Sequence, residues 1–479
     1  MNTKTLLALG GCTLSAVAAM AAEKPNLLII HTDEHSFRTL SCYQALLPEE
    51  QAFVWGKGVN STTPNIDKIA KAGAICTSYY CATPVSTPSR ASLISGLYPE
   101  FTGAPVNGDY IREDIPTLGT ILRDNGYSTS YVGKWHLAGD DFKYTFGIKY
   151  NGGFDDNRYM MTGGHAPYLQ IKDGEIIASG LGSDAAEKIP ADELVHYTDF
   201  FTDKGLEIME RDKDKPFCLM VSIPDPHTPD YARPPYHTMY EDMQPQAPST
   251  MTEEIYNNRP NWASAGKNLR SEFDPEALKQ YLGMVKHIDD NVGRMISFLE
   301  ENGLMENTIV VFTSDHGDMF FEHSRMNKGV PYEASARVPF VISYPDKIPA
   351  GKVISTSYVN TDFTPTMLAL MGIESDVYFH GEDTSKDLTS KKKSVDKPRF
   401  VYFRAVGGSW ASAVEGQYKL VLDRKDVPYL FDLESDPFEV NNIAEEPKYR
   451  KIASRMKEEL LKRLEEVDTP NRAYNTGNL

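Results

Sequence analysis

The chain alternates short, unbroken apolar runs with longer stretches in which apolar residues recur every three or four positions. The first pattern marks strands buried on both faces, and the second marks helices that bury one stripe. Pro25–His31 is such a run, consistent with a central parallel strand; Pro216–Ile223, Asn307–Phe312 and Val338–Tyr344 are others. Ala74–Tyr80 is apolar and β-prone, and Gly126–His136 reads as a strand ending in Lys134-Trp135-His136. Between them, Pro64–Ala72 has Thr63 as its candidate cap and Gly73 as its stop, and Ile115–Asn125 closes at Gly126. Val195–Asp212 and Thr361–Met371 are further helices. The strongest helix signal starts at Asp274-Pro275, repeats through Leu278, Leu282, Val285, Ile288, Val292, Met295 and Leu299, and stops at Gly303. Leu388–Lys397 is polar, with a solvated charge run at Lys391-Lys392-Lys393. After it come short strand candidates at Phe400–Arg404, Trp410–Val414, Tyr418–Leu422 and Tyr429–Asp432, then a helix at Pro447–Val467, which fits a small antiparallel sheet with a covering helix.

Several strands end in chemistry. The first runs into Thr32-Asp33-Glu34-His35, and the strand after the long helix runs into Ser314-Asp315-His316-Gly317. The carboxyl ends of central strands are where α/β sheets place ligands. Adjacent acids there suit a hard cation with oxygen ligands, and equally suit a helix cap. Alternate strand residues share a face, so Lys134 and His136 are able to enter one site together; a lone lysine is otherwise a surface residue. Ser86-Thr87-Pro88-Ser89-Arg90 lies where a strand gives way to a helix, Ser89–Ser95, stopped by Gly96. Pro88 suits the first turn, and free N–H groups at that end are able to hold a tetrahedral anion. Arg90 returns one turn later with a planar cation. The alternative reading of the same residues is a Ser/Thr cap on a surface helix.

Taken together and in this order, the segments resemble the sulfatase family. Ser86-x-Pro-Ser-Arg90 matches its first signature, Gly133-Lys134-Trp135-His136 its second, and Asp33-Glu34 with Asp315-His316 its metal segments. His227, within Pro224-Asp225-Pro226-His227-Thr228-Pro229, and Lys328, ahead of Arg337-Val338-Pro339, match two further elements; His323 lies near Lys328 without a clear assignment. The resemblance implies an α/β fold with a large mixed sheet flanked by helices, like alkaline phosphatase, plus the small C-terminal sheet and helix. It implies a catalytic domain over 23–390 and a C-terminal subdomain over 391–479, following the first 22 residues, which themselves read as a signal peptide. It implies that a separate radical maturase oxidises Ser86 to formylglycine, and that Asp33, Glu34, Ser86, Asp315 and His316 surround calcium. Glu34 departs from the more usual Asp, and some members carry Asn at the position of His316. Arg90, Lys134 and Lys328 then offset charge on the transferred group, His227 protonates the leaving oxygen, and His136 takes the proton that releases sulfate. The expected activity is hydrolysis of sulfate esters on a carbohydrate such as a glycosaminoglycan, mucin or algal glycan. Two alternatives stand beside it: a phosphonate or phosphate ester hydrolase of the same superfamily, and a glycan-binding protein on an inactive scaffold in which Ser86 stays unoxidised.

Composition narrows this further. The 479 residues are 41% hydrophobic and 24% charged, ordinary for a globular protein with one large and one smaller domain. A net charge of −18 argues against nucleic acid as a partner. Lys4, the apolar stretch Leu6–Ala19 and Ala19-Met20-Ala21 read as a secretory signal, so a periplasmic protein is expected; Leu9-Gly10-Gly11-Cys12 gives the alternative of a lipid anchor on Cys12. No later run reaches the roughly 20 apolar residues that span a bilayer. No G-x-S-x-G elbow is present, which argues against a serine-hydrolase triad. Cys42, Cys76, Cys81 and Cys218 fit no zinc spacing; free thiols are expected, and pairing of Cys76 with Cys81 is left open. The loops between 138 and 195 and between 228 and 273 hold Tyr159, His165, Arg233 and His237, candidates for a substrate rim.

Overall fold

Uninterrupted apolar segments become the middle of a nine-stranded sheet because both of their faces are covered. In the computed structural model, which describes residues 24–139, 143–264, 268–467, 474–477 and 479, the strands are β1 (Asn26–Thr32), β2 (Ala74–Cys76), β3 (Ser128–Lys134), β4 (Asp156–Met161), β5 (Phe217–Ile223), β6 (Thr308–Ser314), β7 (Phe340–Ser343), β8 (Lys352–Ile354) and β9 (Ser394–Val395). Their order is β9-β8-β2-β7-β6-β1-β5-β3-β4, with β7 antiparallel to both its neighbours and the other pairs parallel. Leu27 and Ile29 face α2 (Ser86–Ser95) and Phe363–Met371 in one buried layer. Leu28 and Ile30 face α1 (Pro64–Ala72), α3 (Tyr197–Asp212) and α4 (Pro275–Glu301) in the other. This is the expected mixed α/β architecture. The proposed signal peptide and Cys12 lie outside the described residues.

The stripe on α4 is the clearest case of pattern becoming packing. All seven expected apolar positions are fully buried, and Asp274 caps the helix by accepting from the N–H groups of Glu276 and Ala277. Each such burial is worth about 1.5–3 kcal/mol and the cap about 1 kcal/mol, so packing decides the helix and the cap sets its start. The C-terminal strands Val401–Arg404, Trp410–Glu415, Tyr418–Asp423 and Tyr429–Asp432 form one antiparallel sheet. The helix Arg450–Val467 covers it with Ala453, Met456, Leu460 and Leu464.

Four local expectations change. Ala74–Tyr80 is not one strand: β2 joins the large sheet, and Tyr79–Tyr80 pairs with Tyr358–Val359 in another. Cys76 and Cys81 are both buried free thiols. The helix expected from Ile115 begins at Leu118, because Pro116 bars its predecessor from helical geometry and Thr117 with Thr120 forms a capping box. The polar stretch after Leu388 contributes β9 to the sheet edge, strapped down by buried Lys352, whose ammonium donates to the carbonyls of Ser390 (2.6 Å) and Lys392 (2.8 Å). The Gly-rich region builds a three-stranded sheet from Tyr168–Lys172, Glu175–Leu181 and Leu194–His196, so α3 starts at Tyr197 rather than Val195.

In β3, Gly133 has φ +96°, and a Cβ there would lie 1.9 Å from the carbonyl oxygen of Ser222 on β5. Gly133→Ala should therefore lower the unfolding free energy by at least about 2 kcal/mol, read as a shift in the urea midpoint. Gly147, at φ +71° with nothing within 4 Å, isolates the backbone part of that cost; Gly147→Ala should lose only about 1 kcal/mol.

Candidate active site

The parallel register brings the chemistry-bearing strand ends together. Thr32 is level with Ser314 on one side and Ile223 on the other, and Gly133 is level with Ser222. Asp33, Asp315 and Lys134 thus leave neighbouring strands at one edge, and the β5 end leads to His227. Opposite them, α2 begins at Ser86, three residues earlier than expected, with Val85 as the extended residue before it. Ser86 is buried, and its Oγ lies 3.0 Å from His316 Nε2 and 3.5 Å from Asp33 Oδ1.

Asp33, Asp315 and His316 offer three donor atoms within 4.8 Å of one another. His316 Nδ1 lies 3.0 Å from the Gly317 carbonyl, which can only accept, so Nδ1 carries the proton and Nε2 presents a lone pair. Burial lowers the His316 pKa and keeps the ring neutral. Burial alone would raise the Asp33 carboxyl, but the Lys134 ammonium and Arg90 guanidinium hold it well below the usual range. Burial and the Asp33 charge push Asp315 up, and the Arg90 guanidinium helps hold it below the usual range. Two ionised carboxylates and an unprotonated imidazole nitrogen therefore face one another, with His316 Nε2 at 3.4 Å from Asp315 Oδ1 and 3.6 Å from Asp33 Oδ1. That donor set fits a cation.

Glu34 has left-handed backbone, φ 60°, which costs a non-glycine residue about 1–3 kcal/mol. The turn sends its N–H to Asp315 Oδ1 (3.1 Å). Glu34 Oε2 meets Lys328 Nζ at 2.9 Å and His227 Nε2 at 3.0 Å, and buried Oε1 has no hydrogen-bond partner.

Arg90 does not point at a free anion site. It donates from Nε to Asp315 Oδ2 (2.9 Å) and from Nη1 to the Lys134 carbonyl (2.9 Å) and Ser222 Oγ (2.8 Å), with Nη2 3.2 Å from Asp33 Oδ2. The guanidinium ties α2 to the ends of β1, β6, β3 and β5. His136 also departs from expectation. Its φ of 60° breaks the alternation that would put it on the same face as Lys134, and its carbonyl accepts from Thr87 Oγ1 (2.8 Å). It is buried, and burial with Lys134 and Arg90 nearby holds its pKa well down. His323 lies elsewhere, stacked on Tyr332 at 3.8 Å.

His165 reaches the site from the Gly163-Gly164 loop. Its Nε2 is 2.5 Å from Lys134 Nζ and 3.5 Å from Asp33 Oδ2, and its ring lies 3.5 Å above that of His227 at an interplanar angle of 4°. Tyr159 packs edge-on against Phe200, and Arg233 pairs with Asp199 at 2.5 Å. Asp199 also meets His287 at 2.8 Å, and Asp225 accepts from Thr198 Oγ1 at 2.7 Å. This buried network braces the loop that carries His227, and the Asp225 carbonyl accepts from the Asp33 N–H at 3.3 Å. Sequence pattern carried no signal for it, because its members come from three separate elements.

The family model "Sulfatase" matches residues 25–373. The chain belongs to the sulfatase family. A second model, the C-terminal part of N-sulphoglucosamine sulphohydrolase, matches residues 321–466. Among relatives of this sulfuric ester hydrolase, an Escherichia coli protein named uncharacterized sulfatase YidJ is 29% identical over 94% of this chain and 89% of its own. The N-acetylglucosamine-6-O-sulfatase of Bacteroides thetaiotaomicron is 27% identical over 96% and 90%. By fold, the chain resembles BT4656 solved with its substrate D-glucosamine-2-N,6-O-disulfate, with a TM-score of 0.72 at 22% identity, covering 93% of this chain and 98% of that one. Among the described residues, no helix is long and apolar enough to cross a membrane.

Arg90→Met removes the cation between two buried carboxylates without opening a large cavity. It should lower stability by about 3–5 kcal/mol, measured by urea unfolding. Arg90→Lys should recover less than half, since an ammonium is unable to reproduce the fork of donors.

Proposed function

We propose that this protein removes sulfate from a sulfated carbohydrate by way of a formylglycine made from Ser86. The observation that carries the reading is the seat of Ser86 Oγ, at a helix N-terminus and within 3.5 Å of both His316 and Asp33. The relatives support a carbohydrate: beside the N-acetylglucosamine-6-O-sulfatase stand an ulvan-active sulfatase of Formosa agariphila at 28% identity and an N-acetylgalactosamine-6-O-sulfatase of Bacteroides thetaiotaomicron at 26%.

Formylglycine at position 86 would supply a hydrated aldehyde as the nucleophile, and Asp33, Asp315 and His316, with Glu34 and residue 86 beside them, would hold calcium, whose charge would offset that of the sulfuryl oxygens. The chain's own residues do the rest. Asp33, Glu34 and Asp315 balance Arg90, Lys134 and Lys328, so a bound divalent ion leaves the site positive and suited to a sulfate ester. Lys134 and Lys328 face that charge from two sides, each held by a carboxylate and an imidazole. Burial brings Lys134 down to about 8, with Asp33 opposing the fall. His227 donates from Nδ1 to the Thr228 carbonyl (2.7 Å), which fixes its ring with Nε2 toward Glu34 and Lys328, and in the proposed reaction it protonates the sugar oxygen that leaves. A sugar alkoxide leaves poorly without that proton. The role of His136 as the base that takes the proton released with sulfate rests on the family signature. We further propose export to the periplasm under the N-terminal signal, with the radical maturase as a partner on the way.

Ser86→Ala should reduce sulfate-ester turnover at least about 1,000-fold while leaving circular dichroism unchanged. The wild-type peptide carrying Ser86 should lose two hydrogens in mass. A panel of regio-defined sulfated sugars, run beside choline sulfate and a phosphonate monoester, assigns the leaving group; turnover of the phosphonate alone would reject the reading.

Calcium in hundredfold excess over its Kd should stabilise the fold by about 2.7 kcal/mol, seen as a rise in Tm reversed by a chelator. Asp315→Asn should lose that rise. A wild-type Tm indifferent to calcium would remove calcium from the site.

A further inference from the structure

The two neighbouring acids at the end of β1 each begin a matching chain of contacts. Asp33 Oδ2 binds Lys134 Nζ, which lies 2.5 Å from His165 Nε2. Glu34 Oε2 binds Lys328 Nζ at 2.9 Å, which lies 2.5 Å from His227 Nε2. The two imidazoles then close the arrangement by stacking face to face, 3.5 Å apart and 4° from parallel. Acid, ammonium and imidazole thus occur twice, side by side, and the His165 imidazole comes from a loop that no signature segment includes.

An ammonium has three N–H donors in a rigid tetrahedral fan. On Lys134, one goes to Asp33 and one to His165, so the third has a single direction left. His165 accepts at Nε2, and its backbone is held by the Tyr144 hydroxyl, which accepts from the His165 N–H (3.2 Å) and the Ala166 N–H (3.0 Å). Its flat face covers one face of His227, which is further constrained by the Nδ1 bond to Thr228 and by the Nε2 contacts with Glu34 and Lys328. We propose that His165 is a positioning residue for the sulfate ester, aiming the Lys134 ammonium at the sulfuryl group and fixing the ring plane of His227. This rests on the sulfatase reading above, and it adds to the signature residues one whose two actions separate experimentally.

The separation uses leaving groups. An aryl sulfate leaves without a proton, so it reports on Lys134; a sugar sulfate needs His227 as well. His165→Ala should lower kcat/KM about tenfold to a hundredfold on an aryl sulfate and by a further tenfold on a sugar sulfate. His165→Phe keeps the stack without the acceptor, and should fall equally on both substrates. His165→Asn keeps an acceptor without the stack, and should fall mainly on the sugar sulfate. Calorimetry on Ser86→Ala, which binds without turnover, reads the same contact without catalysis: adding His165→Ala or His165→Phe should weaken inorganic sulfate binding at least about fivefold, and adding His165→Asn should not. Retention of wild-type kinetics by His165→Ala would overturn the inference, as would three equal losses accompanied by equal falls in Tm. A correctly oxidised wild type that hydrolyses no sulfate ester would instead overturn the underlying reading.

Discussion

Asp33 and Asp315 lie side by side with no exposure to solvent, and the Arg90 guanidinium bridging their Oδ2 atoms is what lets the sheet end there. Two like charges closer than 4.8 Å repel by roughly 3–4 kcal/mol even at an effective dielectric of 20, and each carries a desolvation penalty of several more. Hydrophobic burial in the layers above and below is indifferent to that conflict. The guanidinium resolves it with geometry: five donors in a plane reach two carboxylates, a carbonyl and a hydroxyl from four different segments. Helix α2 is thereby docked with its first turn against the strand ends.

The same logic extends outward. Lys134 and Lys328 balance the remaining charge, and the imidazoles of His165 and His227 lie within hydrogen-bond reach of their ammonium groups. Behind them, Asp199, His287 and Arg233 hold the His227 loop from the side of α3 and α4. The polar interior is dense, but most of its side chains meet a partner of opposite character, which is the condition for burying so many charges. The left-handed turns at Glu34 and His136 occur within this region, where surrounding contacts over-determine the backbone.

Much of this was legible along the chain. The central strands β1, β5 and β6 were readable because their runs are almost wholly apolar, and α4 because its stripe persists over about six turns. Asp33, Asp315, Lys134 and Ser86 were readable because each follows a strand or opens a helix. His165 was named only as a loop residue, since a Gly-rich segment has no period from which to read direction. The split of Ala74–Tyr80 between two sheets was hidden because both halves are apolar. The attachment of β9 was hidden because what holds it is a buried lysine, a residue type that composition assigns to the surface.

Ser86 is 1% exposed in the finished fold, at the bottom of a wall formed by Asp33, His316 and the first turn of α2. A second protein has no route to a side chain placed so deeply. On the proposed reading, an enzyme that oxidises that hydroxyl would meet the polypeptide while it is still extended, before β1 and β6 have closed around it. Under that reading the packing would set the order of events in biosynthesis: chemistry on the side chain first, folding afterwards, with no later repair of an unaltered molecule.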